Sequence, residues 1–194
     1  MLERLPSPVA RAGLVQILRN LLTARHRSES GSSWFTPAAQ LPDHQREKCP
    51  EGYFNFGLAH GVPGVAAFLG QLVAADVEPD TARSLLSEVV SWLAARQQPP
   101  SFQSRYPAYV GRDLQPMHET RLAWCYGDAG VAAALHLAGR CANHDQATCL
   151  GLELARAAAQ RPSETCGVVD AGLCHGSAGL LLIFLRLAQA TGEA

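Results

Sequence analysis

Apolar residues along this chain recur three and four positions apart, and runs alternating apolar with polar are scarce, so the pattern predicts helices and almost no strands. Six segments follow the helical spacing. The first runs from about Pro8 to Arg25, with Ser7 placed as its cap. The second takes in Val62 to Ala75. The third opens at Pro79, Asp80 and Thr81 and ends near Gln97, before Pro99 and Pro100. The fourth spans about Asp128 to Gly139. Asn143 is expected to cap the fifth, which reaches about Gln160 ahead of Pro162, and the sixth runs from Ser177 to about Thr191.

Three long connections remain, residues 26–57, 98–124 and 161–174. Structureless loops of such length are uncommon unless they serve a function. Each leads into a related short pattern: AHGVPG at 59–64, WCYGDAG at 124–130 and LCHGSAG at 173–179. In all three, Gly-x-x-Gly stands directly before Val or Leu and an apolar helix, with His or Cys just upstream. The leading glycines, Gly61, Gly127 and Gly176, are 66 and 49 positions apart, which marks an internal repeat. Units of this kind stack as inner and outer helix layers. The fold class expected is therefore all-α, part of an α/α toroid with about three helix pairs. Its inner helices would start at one common end, bringing His60, Cys125, Cys174 and His175 to one rim.

Composition narrows the function classes. The 194 residues are 47% hydrophobic and 17% charged with a net charge of −1, enough for a folded domain with a sizeable core. Near-neutral charge argues against nucleic acid or an anionic membrane as the main partner. The stretch MLERLPSPVARAG lacks the apolar core of a secretory signal, and the longest apolar run, Leu180 to Leu185, is too short to span a bilayer. A cytoplasmic location is expected. Six cysteines in a chain of this length point to metal or thiol chemistry ahead of a disulfide framework.

Two thiolates and one imidazole, with a fourth position open, are the donor set of a catalytic zinc site, and sulfur with nitrogen favours zinc over magnesium or calcium. Neighbouring residues on a regular helix point about 100° apart, so Cys174 and His175 can share an ion only from an irregular turn. Helix N-termini favour the anionic thiolate. The competing reading makes Cys125 and Cys174 small core hydrophobes and His175 a capping residue. Recurrence of one pattern three times favours the site. A rival set, Cys141, His144 and Cys149, straddles a helix junction and has no repeat partner. Cys49 and Cys166 are expected as loop or core thiols and His136 as a packed helix histidine. Residues 101–110 are expected as a packed loop, with contact to a substrate peptide as the alternative.

The segments AHGVPG, RLAWCYGDAG and CHGSAG together resemble the three signature motifs of the lanthionine synthetase C family, the LanC-like cyclases, in the same order and over roughly residues 50–190. The resemblance implies residues 1–194 as a single partial domain of that type, with its motif-bearing core at about 50–190. It implies zinc held by Cys125, Cys174 and His175, an acid/base role for His60, and Arg121 in the active site. The implied reaction adds a cysteine thiol of a dehydrated precursor peptide to dehydroalanine or dehydrobutyrine, forming a thioether ring. A lanthipeptide dehydratase and a transporter are the further partners implied. Complete members are about twice as long and close their helices into a ring. The family's catalytic aspartate, upstream of the His motif, finds no counterpart, since Glu3 is the one acid ahead of the first loop. Addition of other thiols such as glutathione, and a non-catalytic zinc- or peptide-binding remnant, are the alternative functions.

Overall fold

Pro8 at the first helical position and the Ser7 hydroxyl, which accepts from the Val9 N–H at 3.3 Å, start α1 where both signals place it. In the computed structural model, which describes residues 7–115 and 117–192, the main helices follow the apolar spacing closely. They are α1 (Pro8–Ala24), α3 (Val62–Ala74), α4 (Pro79–Ala94), α5 (Asp128–Ala142), α6 (Asp145–Ala159) and α7 (Ser177–Thr191), with a four-residue α2 (Asp43–Arg46) inside the first long connection.

Three boundaries differ: α4 stops at Ala94, short of Gln97, α5 runs past Gly139 to Ala142, and the start of α6 is capped by a different residue. Asn143 does not cap α6; it takes a left-handed φ of 51° and closes the end of α5. His144 caps α6 instead, its Nδ1 accepting from the Ala147 N–H at 3.3 Å. With two residues joining the helices, one must reverse the chain, and asparagine tolerates the left-handed region better than histidine does.

Burial separates the layers. Along α4 the buried positions are Ala82, Leu85, Leu86, Val89, Val90, Trp92 and Leu93, one apolar stripe of an outer helix. By contrast, α5 is buried on most sides, because α3 packs on one flank, α7 on another, and α6 behind. Small residues permit this closeness. A methyl at Gly70 of α3 would lie 2.6 Å from the Ala138 Cα of α5. The arc ends at α7, which buries Gly179, Ile183 and Leu187 yet leaves Leu181 and Leu185 69% and 49% exposed. A groove of about 550 Å³ runs among α3, α5 and α7, lined by residues including Ala67, Trp124, Leu137, Leu182 and Ile183.

The long connections hold short strands that the spacing does not forecast. An antiparallel hairpin pairs β1 (His26–Ser28) with β2 (Gly31–Ser33), and a three-stranded antiparallel sheet orders β3 (Phe35–Pro37), β4 (Gly52–Asn55) and β5 (Tyr109–Val110). At two to four residues each they are too short for alternation to show, and their partners lie far away in sequence. Phe54 pairs with Phe35 and Val110, and Phe56 stacks on Trp92 at 5.1 Å, fixing this sheet against α4. The body remains mainly helical. No helix among the described residues is long and apolar enough to cross a membrane.

Candidate metal centre

The three pre-helical turns share one backbone device. In each, both glycines press on the residue six positions earlier. A methyl at Gly64, Gly130 or Gly179 would lie 2.4, 2.2 or 2.0 Å from the carbonyl oxygen of Leu58, Trp124 or Leu173. At Gly61 and Gly127 the obstructing oxygens belong to Asn55 and Arg121, at 2.2 and 2.0 Å, and at Gly176 the Asp170 Oδ1 stands at 2.2 Å. No side chain fits there, so Gly-x-x-Gly recurs where the chain folds back on itself before each inner helix. Equivalent positions follow from the shared register: Asn55, Arg121 and Asp170 begin the turns, and His60, Tyr126 and His175 precede the first glycine.

Main-chain bonds then join the second turn to the third. The Cys174 carbonyl accepts from the N–H groups of both Trp124 and Cys125, at 3.1 and 3.2 Å, and the Leu122 N–H donates to the Cys166 carbonyl at 2.7 Å. Arg161 clamps the same seam, donating to the Thr120 and Thr165 carbonyls at 2.6 Å each. This pairing brings the Cys125 and Cys174 sulfurs and an imidazole nitrogen of His175 within 4.8 Å of one another. Ligands at 2.3 Å around a tetrahedral zinc stand about 3.8 Å apart, so small adjustments suffice. The rival set does not assemble among the described residues. His144 is occupied, its Nδ1 by the α6 cap and its Nε2 by the Ser87 hydroxyl at 3.1 Å.

The chemistry of the donors also fits a soft dication. Burial pushes the Cys125 thiol above its ordinary range; its hydrogen bond and charge coupling with Cys174 push the same way, while the Arg121 guanidinium pulls down. Two touching thiols resist double ionisation unless a cation lies between them. Cys125 is buried, Cys174 is exposed and His175 is half-buried, so the cluster opens toward solvent on one side. All six cysteines are free.

His60 lies outside this cluster, exposed in the turn that enters α3. The turn that carries it is linked to the second turn through Asn55, whose Nδ2 donates to the Tyr126 hydroxyl at 3.0 Å and whose Oδ1 accepts from the Gly57 N–H at 2.8 Å. Arg121 is exposed, close enough to act on the Cys125 thiol. Three residues that motif reading passed over shape the site: Asn55, Asp128 and Asp170. Asp128 opens α5 and accepts from the Arg105 and Tyr106 N–H groups at 2.8 and 3.0 Å, holding the packed 98–124 connection against the helix. Burial raises its pKa against the pull of those hydrogen bonds. The shared register, with Asn55 and Asp170 each six positions before a leading glycine, is the signal that could have found two of them.

The sequence model for the family described as Lanthionine synthetase C-like protein matches residues 12–194. The chain belongs to the lanthionine synthetase C-like family. Among curated proteins, this LanC-like chain is similar to the nisin biosynthesis protein NisC of Lactococcus lactis subsp. lactis, with 23% identity over 176 residues, 86% of this chain and 41% of NisC. Among solved structures it resembles nisin cyclase with a TM-score of 0.79 and 20% identity, over 97% of this chain and 48% of that one. That likeness shows the fold, an arc of the helical toroid. The LanC-like chain thus spans a little under half the length of the relatives it matches.

Proposed function

We propose that this chain carries the metal-binding part of a lanthipeptide cyclase, acting as one domain, with Cys125, Cys174 and His175 as zinc ligands and a dehydrated precursor peptide as substrate. The observation that carries the reading is the two-thiol, one-imidazole cluster within 4.8 Å at the mouth of two family motifs. Zinc bound there supplies a positive centre that lowers the pKa of an incoming peptide thiol at its open position.

The residues divide the remaining work. Cys125 and Cys174 each precede a helix, α5 or α7, whose positive end favours their ionised forms. In the reaction the peptide sulfur forms a bond to the β-carbon of dehydroalanine or dehydrobutyrine as the carbon–carbon π bond breaks. Its electron pair moves toward the adjoining carbonyl, and the α-carbon then takes a proton, so the thiol hydrogen is conserved overall. Arg121 is suited to stabilise the developing negative charge and His60 to deliver the proton. The precursor's dehydratase and transporter are the partners this reading expects.

The test begins with zinc per chain, measured by metal mass spectrometry. A ratio near one, lost in Cys125→Ala and in Cys174→Ala, is expected. Ring closure on a dehydrated precursor, followed by loss of free thiol, should vanish in Cys174→Ala and His60→Ala. A folded chain that takes up no zinc would overturn the reading. A chain that binds zinc and peptide but never closes a ring would reduce it to a binding module.

A further inference from the structure

We infer that Asp170 is a positioning residue for the metal centre, holding the His175 ring so that Nε2 carries the proton and Nδ1 presents its lone pair to the ion. This inference rests on the zinc reading of the cluster. The Asp170 Oδ2 lies 3.1 Å from the His175 Nε2. A carboxylate can only accept, so Nε2 donates and the free lone pair of the neutral imidazole falls on Nδ1. Metal-ligating histidines are commonly fixed in this way by an outer carboxylate, which sets the tautomer and raises the basicity of the ligating nitrogen.

The turn in turn fixes Asp170. Its Oδ1 accepts from the Gly172 N–H at 2.6 Å, its carbonyl accepts from the Ser177 N–H at 3.0 Å, and Gly176 leaves no room for a side chain between them. The carboxylate is therefore held at both oxygens, one on the backbone that carries Cys174 and one on the imidazole beside it. Both side chains are about two-fifths exposed, so as a simple ion pair the contact is worth little. Its effect lies in orientation. The register of the repeat supports the role: Asp170 stands where Asn55 stands in the first turn, and Asn55 likewise bonds to a residue directly before a leading glycine, Tyr126.

Zinc affinity of the purified chain, read by competition with a chromogenic chelator, tests this apart from any catalysis. Asp170→Ala is expected to weaken zinc about 10- to 100-fold. Asp170→Asn keeps an oxygen for only one of the two N–H groups and sets an amide N–H against the other, so it should weaken zinc by a similar factor. In a His175→Ala background the further change Asp170→Ala should cost nothing, because its target is gone. If the double variant loses as much again, Asp170 merely shapes the turn around Cys174 and the inference fails. Wild-type affinity in Asp170→Ala overturns it too. Failure of the unmodified chain to bind zinc would instead overturn the reading of the cluster itself, and the inference with it.

Discussion

Alanine at position 130 tests the turn geometry directly. The new Cβ would stand 2.2 Å from the Trp124 carbonyl oxygen and 3.1 Å from that of Ala123. Both are main-chain atoms, so an ordinary contact requires the backbone to withdraw by about 1 Å. That withdrawal also stretches the 3.1 Å bond from the Gly130 N–H to the Ala123 carbonyl. Overpacking of this kind costs about 1–3 kcal/mol. Replacing glycine by alanine inside a helix offsets about 0.5–1 kcal/mol of it, leaving an expected net loss of about 0.5–2 kcal/mol. Gly13 provides the control, since it lies within α1 with nothing inside 4 Å of its Cβ position. There the same substitution should stabilise by about 0.5–1 kcal/mol. On the zinc reading the cluster senses the same displacement, because the Trp124 carbonyl leads straight into Cys125. Donor distances in metal sites hold to about 0.2 Å, so Gly130→Ala should weaken zinc at least tenfold while Gly13→Ala leaves it unchanged. Urea unfolding with linear extrapolation and chelator competition measure the two effects. A Gly130→Ala chain as stable as Gly13→Ala, with unaltered zinc affinity, would refute the reasoning.

The other outcomes expected are more local. His136 is buried with neither ring nitrogen partnered among the described residues, and burial, then Arg140, lower its pKa. Its neutral form is favoured on folding, so this contribution is fully present above pH 6.5, the ordinary histidine value, and is lost as pH falls through the lower folded value. His136→Leu should therefore flatten the acid side of the stability profile of the metal-free chain, and an unchanged profile would contradict the assignment. Asn55→Ala leaves the Gly57 N–H and Tyr126 hydroxyl without their partner and should cost about 1–3 kcal/mol. Tyr126→Phe should cost less, because Gly57 keeps its acceptor. Urea midpoints in the reverse order would sink that account.

Local signals made most of the helical body legible. Ser7 with Pro8, and Pro79 with Asp80, mark helix starts through sterics and capping that act within a few residues. The same locality explains the error at Asn143: both it and His144 are able to cap, and the short joint between α5 and α6 decided which did. Strands β3, β4 and β5 depend on pairing Phe54 with Phe35 and with Val110, contacts that no short window reveals. At the site, the thiols and His175 could be read because each sits beside a repeated glycine pattern. Asn55 and Asp170 were legible only through their register six positions before a leading glycine, because taken singly an Asn or Asp in a loop looks the same whether it caps a turn, aims an imidazole or faces water.

The three turns place different chemistry on one scaffold, and the differences carry the functional argument. Two positions before the leading glycines stand Ala59, Cys125 and Cys174. Soft donors therefore gather at the seam between the second and third turns, where the Cys174 carbonyl receives both neighbouring N–H groups. The first turn offers alanine there, and beside it His60 and the Asn55 link to Tyr126. On the zinc reading this asymmetry matters. A third thiol would complete a four-ligand sphere of three sulfurs and one nitrogen, which is the composition of a closed structural site. Two sulfurs and one nitrogen leave a position for a substrate sulfur. On that reading the open position goes with a first turn that carries alanine, not cysteine, at the equivalent place.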